Sequence, residues 1–253
     1  MDLGISGRRA AVAASSAGLG LGCARALARE GADVAVCGRD PDRLAAAVAA
    51  LRAEPGAGRV EGLVADVGTT AGATGFVEEA ATVLGGLDIL VPNAGGPPPG
   101  TFATIPLDAY GPALELNLLS TVAMCHAAVP AMAERGWGRV VAVTSVTVRQ
   151  PAGALILSNT ARAGATAFLK TLATEVAPRG VTVNSVQPGL HATDRLVQLH
   201  GGDVSGAAAG IPVGRIGDPD DFGAAVAFLC SAQAGYITGT SLLVDGGSYA
   251  GLM

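Results

Sequence analysis

Residues 155–166 read LILSNTARAGAT, and within them Ser158, Asn159, Thr160 and Arg162 gather hydroxyl, amide and guanidinium groups. Ser158 and Arg162 stand four residues apart, which on a helix puts both side chains on one face. A serine hydroxyl is far less acidic than a tyrosine phenol of pKa ~10. A guanidinium is effectively never deprotonated. This pair can therefore hydrogen-bond an oxygen and stabilise negative charge, but it exchanges no proton easily near neutral pH. Further candidates are Ser145, Asn117 and His191. His191 follows Pro188 and Gly189 by two residues and is a candidate general base, although a lone histidine also serves as a solvated or hydrogen-bonded side chain. A Ser–His–Asp hydrolase is disfavoured. No G-x-S-x-G elbow surrounds Ser145 or Ser158, and His126, His191 and His200 have no evident carboxylate partner in the sequence. No His, Cys and carboxylate cluster has metal-ligand spacing, so no metal is expected.

The elements that must position these groups alternate along the chain. Strand-like runs are RRAAVAA (8–14), ADVAVCG, RVEGLVADV, DILVPNAGG (88–96), GRVVAVTS (138–145), GVTVNSVQPG (180–189) and TSLLVDGG (240–247). Helical patterns lie between them: 18–31, one after Asp40 as N-cap with Pro41 at the first position, 72–85, a long one through 107–133, and one from about 158 to 178. Continuous apolar strands separated by helices indicate an α/β, doubly wound parallel sheet of about seven strands with helices on both faces. No internal repeat or boundary divides the 253 residues, so one domain is expected.

The first strand-to-helix turn reads AASSAGLGLG. Gly18 and Gly20 permit a tight turn that brings backbone close to a pyrophosphate at the helix N-terminus, and Ser15 and Ser16 offer hydroxyl donors. At the end of the second strand, Gly38 stands where an acid would bind a ribose 2′-hydroxyl, with Arg39 beside it. A missing acid beside a guanidinium suits a 2′-phosphate, which favours NADP, with NAD less likely.

Several segments together resemble the classical short-chain dehydrogenase/reductase family. AASSAGLG (13–20) resembles its T-G-x-x-x-G-x-G turn, ADV (65–67) its adenine contact at Asp66 and Val67, and PNAG (92–95) its N-N-A-G motif. ELNLLS (115–120) resembles its active-site helix and carries Asn117, VAVTS (141–145) ends on its catalytic serine, here Ser145, and VTVNSVQPGLHAT (181–193) resembles its nicotinamide cradle. ITGTSLLVDGG (237–247) resembles the closing strand, so the likeness spans the chain, and is nearest to the 3-oxoacyl-carrier-protein reductase branch. The resemblance implies a Rossmann-type fold and a dinucleotide site formed by Ala14, Ser15, Ser16, Gly18, Leu19, Gly20, Arg39, Asp66, Val67, Asn93, Ala94, Gly95, Arg162, Pro188, Gly189 and Thr193. It also implies a small-molecule or carrier-bound carbonyl substrate and a homotetramer or homodimer, paired through the helices at 107–133 and 158–178, with the C-terminal SYAGLM as a further contact.

Two departures from that family stand out. Its first threonine and glycine are Ala13 and Ala14, so the turn must form without a glycine there. Its Tyr-x-x-x-Lys pair, usually thirteen residues after the serine, is replaced by Ser158 and Arg162, and counting back from Asn184 reaches the same Arg162. Three readings follow. Hydride transfer persists, with Ser145, Ser158 and Arg162 holding the substrate oxygen and a water at Asn117 delivering the proton. Alternatively, the fold has turned to non-redox chemistry, as a lyase, dehydratase or cyclase using Ser145, Arg162 and His191. In the third, the protein binds dinucleotide and is catalytically silent. Residues 194–217, rich in Gly and Ala, are read as a short substrate lid that leaves the pocket open, with GGPPPGTF (95–102) as the opposite wall.

Composition bounds the rest. The net charge of −5, with no basic run, argues against nucleic acid. The four cysteines are scattered without a C-x-x-C pair, as in a reducing compartment, and a cytoplasmic location is expected. No uninterrupted apolar run approaches the ~18 residues of a membrane span, so no membrane partner is expected. The 37 glycines exceed the usual share of about 7%, so glycine motifs weigh only in position.

Overall fold

The computed structural model describes residues 2–199, 201–204 and 206–252; Met1, His200, Ser205 and Met253 lie outside the described residues. Strand β1 (Arg9–Val12) leads into α1 (Gly18–Arg29), β2 (Asp33–Gly38) into α2 (Pro41–Arg52), and β3 (Val60–Val64) into α3 (Thr70–Leu84). After β4 (Ile89–Val91) come α4 (Tyr110–Leu114), a π-helical turn at Glu115–Leu119, and α5 (Ser120–Glu134). Then follow β5 (Gly138–Val143), α6 (Ile156–Val176), β6 (Val181–Pro188), α7 (Asp194–Leu199), α8 (Pro219–Cys230) and β7 (Ser241–Val244). Asp40 caps α2 as its position suggests, its carboxylate accepting from Asp42 N and Arg43 N at 3.0 Å each, with Pro41 at the first helical position.

All seven strands are parallel, in the order β3-β2-β1-β4-β5-β6-β7. The order reverses between β1 and β4, whose residues Ala10 and Val12 pair with Ile89 and Val91. In such sheets ligands bind in the crevice beyond the carboxyl ends of the strands at that switch point. Side chains alternate between faces along each strand. Ala11, Ala35, Leu90, Val140 and Val183 enter the core under α3, α5 and α6. Ala10, Val12, Val34, Val36, Ile89, Val91 and Val186 enter the core under α1, α2 and α8. The two layers are separate, and they decide which residues can meet.

Two sequence expectations change. The runs 8–14 and 88–96 give only the four-residue β1 and three-residue β4, because residues 13–17 and 92–96 leave the ladder to form loops at the carboxyl edge. The helix expected through 107–133 is interrupted by the π-helical turn, which carries Asn117. Leu107–Glu134 is long and apolar enough, by length and composition alone, to cross a membrane. Half of its most apolar 18-residue stretch is buried inside the protein, where it packs on α3 and α6 as a core helix does.

Candidate active site

The turn after β1 is held by other strand ends. Ala14 has φ 46° and is the one non-glycine residue with positive φ among the described residues. That conformation costs an L-residue about 1–2 kcal/mol. Asn93 braces it from the end of β4, donating to Ala13 O and Ala14 O at 3.2 Å each. Ser15 corrects the expectation of a hydroxyl donor for phosphate. Its Oγ donates to Val12 O at 2.6 Å and accepts from Cys37 N at 3.0 Å, and the residue is fully buried. Its single O–H is spent within the turn that ties β1 to β2, which leaves the half-buried Ser16 as the hydroxyl of the turn, with Gly18 and Leu19 opening α1 and Gly20 buried against Ala14 O and Asn93. Thr193 joins them from beyond β6: a Cβ built on Gly18 would meet Thr193 Cγ2 at 3.3 Å.

At the end of β2, a Cβ on Gly38 would stand 2.6 Å from Ser16 Oγ. An acid at position 38 would collide with Ser16, so the two residues exclude the carboxylate that a ribose 2′-hydroxyl would bond. Arg39, beside Gly38, is exposed and forms no ion pair among the described residues. Asp66 is exposed beyond β3 and accepts from Gly68 N at 3.0 Å, and Val67 is buried beneath it.

The chemical centre lies over the ends of β4 and β5. Arg162, on α6, donates from one nitrogen to Val143 O and Thr144 O at 3.0 and 3.1 Å and from another toward Ala94 O at 3.5 Å. These carbonyls fix the guanidinium beside Ser145 without neutralising it. Burial, and then the charge of Arg195, lower its pKa to about 10. Ser145 Oγ lies 2.9 Å from Thr147 Oγ1 and accepts from Thr147 N at 3.1 Å. Ser158 is 8% exposed, and its hydroxyl makes no hydrogen bond among the described residues. Asn117 is 4% exposed; its Nδ2 donates to Gly95 O at 2.8 Å while its Oδ1 is buried and unpartnered. A buried orphan acceptor of this kind calls for a water or a ligand donor. Helix α6 packs both on the π-helical turn and on the turn at Val146–Val148, which brings Arg162, Asn117 and Ser145 to the loops after β4 and β5, with Ser158 one turn before Arg162 on α6.

His191 does not join them. It is 5% exposed, stacked edge-on to Phe222 of α8 at 5.4 Å, with Nδ1 3.2 Å from Gly189 O. Phe222 belongs to the core under α1 and α8, on the opposite side of the sheet from α6. Burial lowers the pKa of His191, consistent with a neutral packing residue. This packing, on the other face of the sheet from α6, argues against the expectation of a general base at His191. Pro188 ends β6, and Gly189 backs onto Asp245 so closely that a Cβ would lie 2.8 Å from its Cα.

The segment 194–217 also differs from an open, loose lid. Its first part is α7, tethered at two points. Asp194 pairs with Arg43 of α2. Arg195 donates to Pro97 O at 2.7 Å and to Gln198 Oε1 at 2.9 Å. The wall 95–102 is itself anchored beside α6, with Gly100 N donating to Ala154 O at 2.7 Å. Sequence reasoning missed Arg195; its place two residues after Thr193 was the only signal, and a six-residue helix is too short for periodicity to reveal its face.

Comparison with known proteins agrees with this geometry. Residues 13–249 match the family described as "Enoyl-(Acyl carrier protein) reductase". The human "Dehydrogenase/reductase SDR family member 4" is 34% identical over 96% of this chain and 88% of its own length. The "3-oxoacyl-[acyl-carrier-protein] reductase FabG" of Haemophilus influenzae is 34% identical over 97% of this chain and 99% of its own. Among solved structures, L-sorbose reductase from Gluconobacter frateurii, complexed with NADPH and L-sorbose, superposes with TM-score 0.91 at 34% identity, covering 100% of both chains.

Proposed function

Because the chain belongs to the short-chain dehydrogenase/reductase family, we propose that it is an NADP-dependent oxidoreductase interconverting a carbonyl and an alcohol with an altered proton-delivery route. The observation that carries this is Arg162, held by three carbonyls between the ends of β4 and β5 beside Ser145. The crevice suits a dinucleotide: Ser16, Gly18 and Thr193 would hold its phosphates, Arg39 its 2′-phosphate, and Asn93, Pro188 and Gly189 its inner end. The steric exclusion of an acid at Gly38 supports NADP, as does the NADPH held by the L-sorbose reductase. When bound, the cofactor supplies or accepts the hydride at the substrate carbon.

The chain's own groups handle the oxygen. Ser145 and Ser158 hydrogen-bond it, and Arg162 supplies positive field to the negative charge that develops there. Preorganised donors of this kind are often the larger catalytic contribution. In the reducing direction the oxygen must gain a proton, and neither Ser158 nor Arg162 releases one readily. The unpartnered Oδ1 of Asn117 is suited to hold the water that does. By resemblance the working unit is a homodimer or homotetramer, which light scattering on the full chain tests; a monomer alone would contradict it.

The test of the reaction is turnover of carbonyl substrates with NADPH deuterated at the transferable position. Deuterium on the product carbon supports hydride transfer. Turnover with the label retained on the cofactor would instead establish the non-redox reading, to which the absence of a Tyr–Lys pair points.

A further inference from the structure

Three side chains from three elements bear on four consecutive residues beyond β4. Arg162 of α6 reaches Ala94 O at 3.5 Å, Asn117 donates to Gly95 O at 2.8 Å, and Arg195 of α7 donates to Pro97 O at 2.7 Å. Between them the Arg195 guanidinium lies flat on Gly96, where a Cβ would come within 2.8 Å of its Nε. The glycine thus lets the guanidinium rest against the backbone, and a side chain at position 96 would displace it. Two guanidiniums flank this backbone, close enough that the charge of Arg195 is felt at Arg162.

Neither Arg162 nor Arg195 forms an ion pair with a carboxylate among the described residues; their acceptors are neutral carbonyls and one amide. This stands out in a chain of net charge −5. Of the five N–H groups of Arg195, two are engaged, to Pro97 O and Gln198 Oε1, leaving three without an acceptor among the described residues. Nearby exposed acids are committed elsewhere: Asp194 to Arg43, and Asp221 to Arg215. A partly buried cation with spare donors, steered by carbonyls and left without a counter-charge, is arranged for an anion from outside.

We propose that the substrate of this site carries a carboxylate and that Arg195, laid on Gly96 and fixed by Pro97 O and Gln198, is the residue that recognises it. This rests on the reading of the site as a carbonyl–alcohol oxidoreductase. The alternative source of negative charge is the cofactor's phosphates, whose end is marked by Gly18 against Thr193, two residues before Arg195. The guanidinium of Arg195 turns from there to Gly96 and Pro97 O, beside the carbonyl that Arg162 reaches, and the NADPH titration below separates the two sources. A carboxylate on Arg195 would present the rest of its molecule toward Ser145 and Ser158.

The test is calorimetric titration of the full chain, NADPH-loaded and cofactor-free, with acetoacetate, benzoate and phenylacetate, each against its methyl ester. At least one acid is expected to bind tenfold or more tightly than its ester. In Arg195→Met that ratio should fall to within about twofold, while Arg195→Lys retains part of it and NADPH affinity stays within about threefold of the parent. Loss of the Pro97 tether alone would weaken acid and ester equally, so the ratio isolates the charge. No acid preference in the parent chain overturns the proposal, as does a preference that survives Arg195→Met. A tenfold loss of NADPH affinity in Arg195→Met with the ratio unchanged would also overturn it, by assigning Arg195 to the cofactor. Failure of NADPH to bind sinks the redox reading alone; the cofactor-free titration then still decides for or against Arg195.

Discussion

At the amino edge of the sheet, Arg9 opens β1 and is locked to Asp88, just before β4. The carboxylate accepts from Arg9 Nε and a terminal nitrogen at 2.8 Å each and from Arg9 N at 3.1 Å, and Arg135 stands 3.7 Å away. At the carboxyl edge, Arg162 and Arg195 rest on carbonyls with no acid. Both arrangements hold the guanidinium in place, but only the first neutralises it. Arg139 shows that a missing acid is not enough to mark a site. It too is buried on carbonyls, but Trp137 covers its guanidinium at 4.4 Å and is itself covered by Arg8 at 3.9 Å. The difference that matters is spare donors facing a crevice. Charge at the amino edge holds the strands together; charge at the carboxyl edge is kept for a ligand.

Substitutions at the two edges should therefore separate stability from activity. Arg162→Met is expected to lower kcat by about 10²–10³-fold, roughly 3–4 kcal/mol of transition-state stabilisation. Steady-state kinetics beside thermal unfolding checks this, and a loss of stability without loss of kcat would erase the distinction. Asp88→Asn should do the reverse, costing about 2–3 kcal/mol of stability, somewhat below the ~3–5 of a fully buried pair because Arg9 reaches solvent. Its kcat should be nearly unchanged.

The pH dependence sharpens the same contrast. Burial alone would raise the pKa of Asp88, but the hydrogen bonds and charge of Arg9 prevail and lower it. Its contribution is then present above the ordinary carboxylate pKa of ~3.9 and lost as pH falls through the lowered value. Acid unfolding of Asp88→Asn should lack that component. For His191, burial holds the folded pKa below ~6.5, so the unfolded chain takes up the proton first and stability declines as pH falls below about 6.5. Unfolding free energies of His191→Leu measured from pH 7.5 to 5.5 should lack that decline. The pH–rate profile should not move; a shifted profile would return His191 to the chemistry. Smallest is Ala14→Gly, expected to stabilise by about 0.5–1 kcal/mol by relieving positive φ. Unfolding of the variant at one pH suffices to check it.

Much of this architecture is legible in the sequence because its signals are local. Apolar runs with intervening helices gave the parallel sheet, and the glycine turn after the first run placed the crevice. Spacing from Ser145 and from Asn184 converged on Arg162, which does dock beside Ser145. Facing was not legible. His191 and Thr193 are two residues apart, yet one enters the core against Phe222 and the other meets Gly18, a choice made by the short bridge of His191 to Gly217. Ser15 and Ser16 look alike in the turn, and only the β1–β2 register commits Ser15 Oγ to Cys37 N. Arg195 and Pro97 are brought together by tertiary packing across 98 residues, which no periodicity encodes.

The most direct measurement is equilibrium binding of NADPH and NADH to the purified chain, repeated on Arg39→Asp. NADPH should bind more tightly than NADH, and Arg39→Asp should narrow or reverse that preference by removing the cation beside Gly38 and adding a ribose-binding acid. If neither cofactor binds, the carboxyl edge is not a dinucleotide site, and the account given for Arg39 and for hydride transfer at Arg162 is contradicted.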